Sequence, residues 1–445
     1  MDPYFGYEIA GVVVLAYALI VYLLWRTGHV GPDKTFSFFG PALMVKTQRG
    51  RSALDRWGRF RRFWSVAGDV GILLSILAMI TIVVLLVFGA IISLRLSPSQ
   101  APSPQEALGL PGINPIIPLG YGIVALVVGI VLHELWHGII ARSQKIGVKS
   151  LGILWCVVPI GAFVEQNDEE MLAATRRKRD RVAAAGVLAN FVLTVIFFVA
   201  LSVVIAGSVA PNASGVGVVD VQGSTPAANA TLAPGDILTS VNGTNLTTSS
   251  QFISTMANTY PGENVTIVWY SASLGRTETA VVTLGTSPTN ASRGFLGVAV
   301  NLLTPTEMKQ TLVWPFGSDL GPSTGAIDWI VLPLATLEPV SGTNEQFFHL
   351  TGPFAGTSPD TFWVGANLLY WLAWMNLLLG ISNALPLFPL DGGLLFRDYM
   401  ASLAARFKKG WSEARLDEFA GRAVTFSSVL VLLLLVWQFV VPRLL

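Results

Sequence analysis

Charge is scarce in this 445-residue chain. Charged residues make up 12 % of it and hydrophobic residues 52 %, about half the charged share usual in soluble domains. The 28 basic and 27 acidic side chains nearly cancel, which removes the electrostatic basis for a nucleic-acid partner. Cysteine occurs once, at Cys156, so neither an intrachain disulfide nor a thiolate zinc cluster can form. Cys156 is expected to be packed rather than reactive. Histidine occurs four times, at 29, 133, 137 and 349, and two of the four lie within one five-residue stretch.

Long apolar runs are abundant. Six could cross a bilayer, at about 7–25, 65–94, 119–141, 182–207, 362–385 and 421–441, given the ~20 residues a helical crossing needs. The first lacks a basic leader and a small-residue cleavage site, so it is expected to remain as a helix. The run at 329–337 is too short to cross and is expected at the membrane surface. Lysine and arginine cluster in alternate loops: nine in 26–64, eight in 142–181 and five in 386–420. Residues 95–118 hold only Arg95, and 208–361 only Arg276, Arg293 and Lys309. The positive-inside bias then makes the basic loops cytoplasmic and puts the N-terminus and 208–361 outside a cell membrane. Residues 403–418 pattern as an amphipathic surface helix, and Asp69 as interfacial.

From about 209 to 300 the chain changes character and becomes rich in Gly, Ser, Thr and Asn. Alternating runs at 264–272 and 278–285 predict strands, 232–246 a strand bracketed by Pro234-Gly235 and Asn242-Gly243, and 247–258 a helix. Six N-x-[ST] sequons, at Asn212, Asn229, Asn242, Asn245, Asn264 and Asn290, agree with a non-cytoplasmic location. With GVGVV (215–219) and APGDILTSVNG (233–243), this region resembles a PDZ domain. The resemblance implies that Gly215, Val216, Gly217 and Val218 meet an added peptide. A rigid cap without a ligand is the other reading.

The chemistry is expected in VLHELWHGII, 131–140. His133 and His137 share one helix face, one turn apart, and can reach one zinc ion. Glu134 stands beside them. Zinc lowers the pKa of water toward ~7, and a neighbouring carboxylate can take the proton during attack on a carbonyl. A proton or metal path and a structural role are the alternatives. For the third ligand, His349 lies on the other side by the charge count, while His29 stays open. Asp391, in NALPLFPLDGG (383–393), follows an inward span at compatible depth. Pro386 and Pro389 break the helix there, and Gly392-Gly393 is expected to bend the backbone.

HELWHG on one span and N-x-x-P-x-x-P-x-D-G after a later one resemble the site-2 protease family of intramembrane zinc metalloproteases. GVLAN (186–190) matches that family's G-x-x-x-N pattern. The resemblance implies His133, His137 and Asp391 as ligands of one zinc ion and Glu134 as general base. It also implies that Asn190 positions substrate or oxyanion and that Asn383 contacts substrate or the site's surroundings. Residues 148–166 read as a membrane-dipping β-hairpin turning near Pro159–Gly161, with an open edge for an unwound substrate.

The expected fold is a polytopic α-helical membrane protein of about six spans with a small α+β PDZ-like domain outside. Its parts are 1–118 (two spans and a basic loop), 119–207 (first half of the core), 208–300 (PDZ-like domain), 301–361 (linker), 362–395 (second half of the core) and 396–445 (amphipathic segment and last span). The expected function is intramembrane endoproteolysis of single-span membrane proteins near the cytoplasmic side, freeing a regulatory fragment. A non-catalytic peptide-binding receptor or scaffold is the alternative.

Overall fold

The computed structural model describes residues 5–31, 34–40, 42–156, 158–316, 319, 321–335, 340 and 342–444. They form two compact units, one drawn from 1–115, 122–195 and 372–445, the other from 116–121 and 196–371.

The first unit opens with helix α1 (Phe5–Arg26), strands β1 (Phe36–Phe39) and β2 (Ala42–Thr47), and helices α2 (Arg51–Gly58) and α3 (Arg61–Ser93). Then come α4 (Leu119–Ser143), β3 (Val148–Cys156), β4 (Val158–Gln166), α5 (Asp168–Ala173) and α6 (Arg176–Ser208). Small residues decide how closely α6 packs. Ala183, Ala184, Ala185, Val187 and Ala189 are buried, and short side chains let helix backbones approach where water drives nothing. Ile140, Ala141, Ile146, Val182, Ala185 and Trp64 form one cluster under this contact. At the basic end of α6, Asp69 accepts from Arg177 and Arg181, and Arg179 pairs with Asp398. The interfacial Asp69 of the sequence reading is thus a tie between helices.

The hairpin expected at 148–166 forms, but Pro159 and Gly161 lie within β4 rather than in a turn, and residue 157 between the strands lies outside the described residues. The hairpin is also half of a larger sheet. β2 pairs with β3, and β1 with β2, giving the antiparallel order β1–β2–β3–β4. The edge of β3 is therefore closed, and β4 is the edge left beside α4.

The second unit contains β5 (Val209–Pro211), β6 (Val216–Val221), α7 (Pro226–Asn229), β7 (Ile237–Val241), β8 (Thr244–Asn245), α8 (Ser249–Ala257), β9 (Asn264–Ser271) and β10 (Arg276–Thr283). After them come β11 (Gly285–Thr286), β12 (Gly294–Phe295), β13 (Val298–Val300), α9 (Pro305–Val313), α10 (Pro322–Ala335) and β14 (Phe348–Leu350). The main sheet runs β10–β9–β7–β6–β13, with β8 on β7. Asn242 and Gly243 turn the β7–β8 hairpin at φ 48° and 75°, the positive values such a two-residue turn demands. Val216, Val218, Leu238, Ile267 and Trp269 belong to one buried core.

Residues 301–361 are more than a linker. β14 pairs with β5, and the Asn301 amide donates to Gly217 O. The 329–337 run joins α10, where Trp329 is buried against Phe198 and Tyr370; residues 336–339 lie outside the described residues.

The chain ends with α11 (Pro359–Asn383), α12 (Asp391–Phe407) and α13 (Glu413–Leu444). The single amphipathic helix expected at 403–418 is instead broken between Phe407 and Glu413. Among the described residues, five helices are long and apolar enough to cross a bilayer: α3, α4, α6, α11 and α13. The first of the six expected spans falls in α1, 22 residues long, of which Val14–Arg26 is an apolar helix among the described residues.

Candidate functional site

Helix α4 brings His133 and His137 to one face, with ring centroids 4.9 Å apart and Nε2 atoms 3.2 Å apart. Asp391, the first residue of α12, completes a triangle, its Oδ2 3.3 Å from each Nε2. Four ligands placed tetrahedrally around zinc at 2.0–2.1 Å stand roughly 3.3 Å from one another. The three atoms already have that spacing. Asp391 Oδ2 is buried without a hydrogen-bond partner, and a cation is what such an oxygen facing two imidazoles lacks. Two histidine nitrogens and one carboxylate oxygen also suit zinc by type. Among the described residues these three form the one group placed to hold a metal ion.

Helix α6 fixes the rings from behind through three positions four apart. Val182 O accepts from His137 Nδ1 at 2.7 Å, which leaves the Nε2 lone pair free for a metal. Gly186 lies against the His133 ring, where any Cβ would overlap it. The amide Nδ2 of Asn190, a fully buried residue, is placed 3.0 Å from His133 Nδ1, and the amide's two ends are interchangeable by a half-turn. A metal on Nε2 requires the proton on Nδ1, so the amide there must present its oxygen. That orientation also gives the buried and otherwise unpartnered Asn190 Oδ1 a donor.

Asp391 is placed by the break after α11. Gly392 and Gly393 sit in the first turn of α12, packed on the carbonyls of Ala384, Leu385 and Leu387 with no room for a Cβ. They serve close approach rather than the bend expected from sequence. Glu134, on the neighbouring face of α4, accepts from the Val164 amide of β4 at 3.1 Å. That N–H points away from β3, so the open sheet edge abuts the carboxylate.

The model of Peptidase family M50 matches residues 121–416, well over half the chain. The chain belongs to Peptidase family M50. This is the site-2 protease family, and its members are zinc metalloproteases. An uncharacterized protein of Methanocaldococcus jannaschii is 31 % identical over 191 residues, 41 % of this chain. The chain thus spans about half, 48 %, of that curated relative's length. The crystal structure of the PDZ domain of an SdrC-like protein from Listeria monocytogenes shares 26 % identity over 20 % of this chain and 88 % of its own, with a TM-score of 0.18.

Not every residue singled out in the sequence joins the centre. Asn190 touches a ring nitrogen and has no exposed surface, so it does not face a substrate in this structure. Asn383 donates to Leu379 O of its own helix. His29 bonds Thr27, and His349 bonds Asn212. Gly215–Val218 is not an open loop. Val216 and Val218 are buried in β6, which is flanked by β7 and β13, and the Phe347 ring covers Gly217. The chain's own Val298–Val300 pairs with Val218–Val221 of β6 and is itself the end strand of that sheet. The Val182 carbonyl escaped the sequence reading, although its spacing from Gly186 and Asn190 was available as a signal.

Proposed function

We propose that this chain is an intramembrane zinc endopeptidase. Its substrates are single-span, membrane-anchored regulatory proteins, cut within the bilayer near the cytoplasmic side. The observation that carries the reading is the 3.2–3.3 Å triangle of His133 Nε2, His137 Nε2 and Asp391 Oδ2. Zinc held there would supply Lewis-acid chemistry, polarising the scissile carbonyl and acidifying water. Glu134 takes the water proton as the oxygen adds to the carbonyl carbon. It returns the proton to the amide nitrogen as the C–N bond breaks. Val164 N–H holds that carboxylate in place.

The same contact supports a mode of substrate binding. A helical peptide bond is shielded by its own hydrogen bonds, so the substrate must unwind before attack. An unwound segment added to the edge of β4 would run beside Glu134, its backbone satisfied by the strand. The 208–300 domain would act by size, admitting substrates whose exterior part has been removed.

The test is Glu134→Gln in full-length protein co-expressed with a single-span substrate. We expect bound zinc at the unmodified level and no cleavage. Undiminished cleavage by the variant would contradict the proposal.

A further inference from the structure

The sheet β1–β4 has two unlike ends. At one, Phe38, Phe39, Ile153 and Trp155 are exposed, and Tyr17 of α1 donates to Trp155 O at 2.9 Å. Large exposed apolar side chains beside an apolar helix mark this end as lipid-facing. Toward the other end, α1 closes with Tyr22, Trp25 and Arg26. Aromatic residues followed by a basic one are the usual marker of a membrane–water boundary.

Just past that boundary lies a cavity of about 740 Å³. Lys34, Lys46, Arg49 and Lys149 line it, with Ser150 and Glu165. Four cations thus face one carboxylate. Glu165 takes Lys46 at 3.3 Å and Ser150 Oγ at 2.5 Å. Lys149 pairs with Asp168 outside the wall, and Lys34 donates to the neutral carbonyl of Gly28. Among the described residues no carboxylate pairs with Arg49. The cavity keeps a positive surplus at headgroup depth.

A second, apolar groove of about 560 Å³ runs along α1, lined by Val14, Tyr17, Ala18, Val21, Trp25 and Phe38 among others. Its Trp25 end lies three residues before Gly28, the residue that anchors Lys34. A basic chamber near the end of α1 and an apolar groove along the same helix together offer the two polarities of one amphiphile. We propose that the two together bind an anionic phospholipid, its phosphate among Lys34, Arg49 and Lys149 and an acyl chain along α1. Arg49 can fork onto phosphate oxygens while the lysines act as point charges. An acidic peptide would fit the chamber but leave the groove unused, so the lipid is favoured. The inference is independent of whether the chain cuts peptides.

Native mass spectrometry of the full-length protein, released from nanodiscs of equal anionic phosphatidylglycerol and zwitterionic phosphatidylcholine, tests it. The wild type is expected to retain the anionic lipid at least tenfold over the zwitterionic one. Lys34→Gln/Arg49→Gln/Lys149→Gln should lose that preference, and Ala18→Trp, which fills the groove, should lower retention itself. The single Arg49→Gln breaks no bond of the fold and should weaken the preference alone, which separates binding from misfolding. Equal preference in wild type and both arginine variants overturns the proposal. So does displacement of the lipid by millimolar inorganic phosphate, which needs no groove, or by an oligoglutamate peptide.

Discussion

His133 shows how much of the site is set by residues that are not ligands. Its ring is held between Gly186 and the Asn190 amide, so both govern where Nε2 points. Gly186→Ala should displace the ring and weaken zinc binding about 10–100-fold, the usual cost of losing support behind a ligand. Competition with a fluorescent chelator measures this, and an unchanged helical circular-dichroism spectrum shows that the fold survives. Asn190 offers a sharper test. Asn190→Asp keeps an acceptor on Nδ1–H and should hold zinc, whereas Asn190→Leu should lose affinity over a similar ~10–100-fold range. Had Asn190 been an oxyanion donor, the Asp variant would lose turnover while the Leu variant kept its metal.

At the scale of elements, β4 joins the metal helix to the open sheet edge. Val164→Pro removes the one N–H that reaches Glu134 and no ladder bond to β3, a position where proline is tolerated. It should leave zinc content unchanged and lower kcat/KM at least tenfold. The salt-bridge tie at Asp69 belongs to the same scale. Asp69→Ala frees both arginines and should cost ~1 kcal/mol, since the carboxylate they share remains partly open to solvent. A lowered thermal midpoint in detergent measures it.

These elements also show where sequence suffices. HELWH and the proline-broken stretch before Asp391 were readable because few side chains serve that chemistry and helix periodicity places them. The strands at 264–283 followed from alternation, and those at 148–166 from an apolar, β-branched-rich run too interrupted to span. β1 and β2 did not, because a nine-cation loop reads as solvated chain and the pairing with β3 is long-range. Nor did β13, a three-residue strand whose partner lies some eighty residues earlier. Gly392-Gly393 suggested a bend because sequence cannot distinguish a glycine needed for its dihedrals from one needed for close approach.

For the whole molecule, the alternation of basic loops implies one orientation. With Cys156 changed to serine, Ser273→Cys should react with an impermeant maleimide applied to intact cells, and Lys409→Cys only after lysis. The reverse pattern would turn the topology over while leaving the metal triangle intact. That triangle draws one ligand pair from α4 and its third member from a helix more than 250 residues later, and everything proposed about peptide cleavage depends on it. X-ray absorption at the zinc edge of the full-length protein, compared with Asp391→Ala, tests it most directly. Two imidazole nitrogens and a carboxylate oxygen are expected at ~2.0–2.2 Å, with the oxygen contribution or the zinc itself lost in the variant. An identical zinc shell in wild type and Asp391→Ala would contradict it.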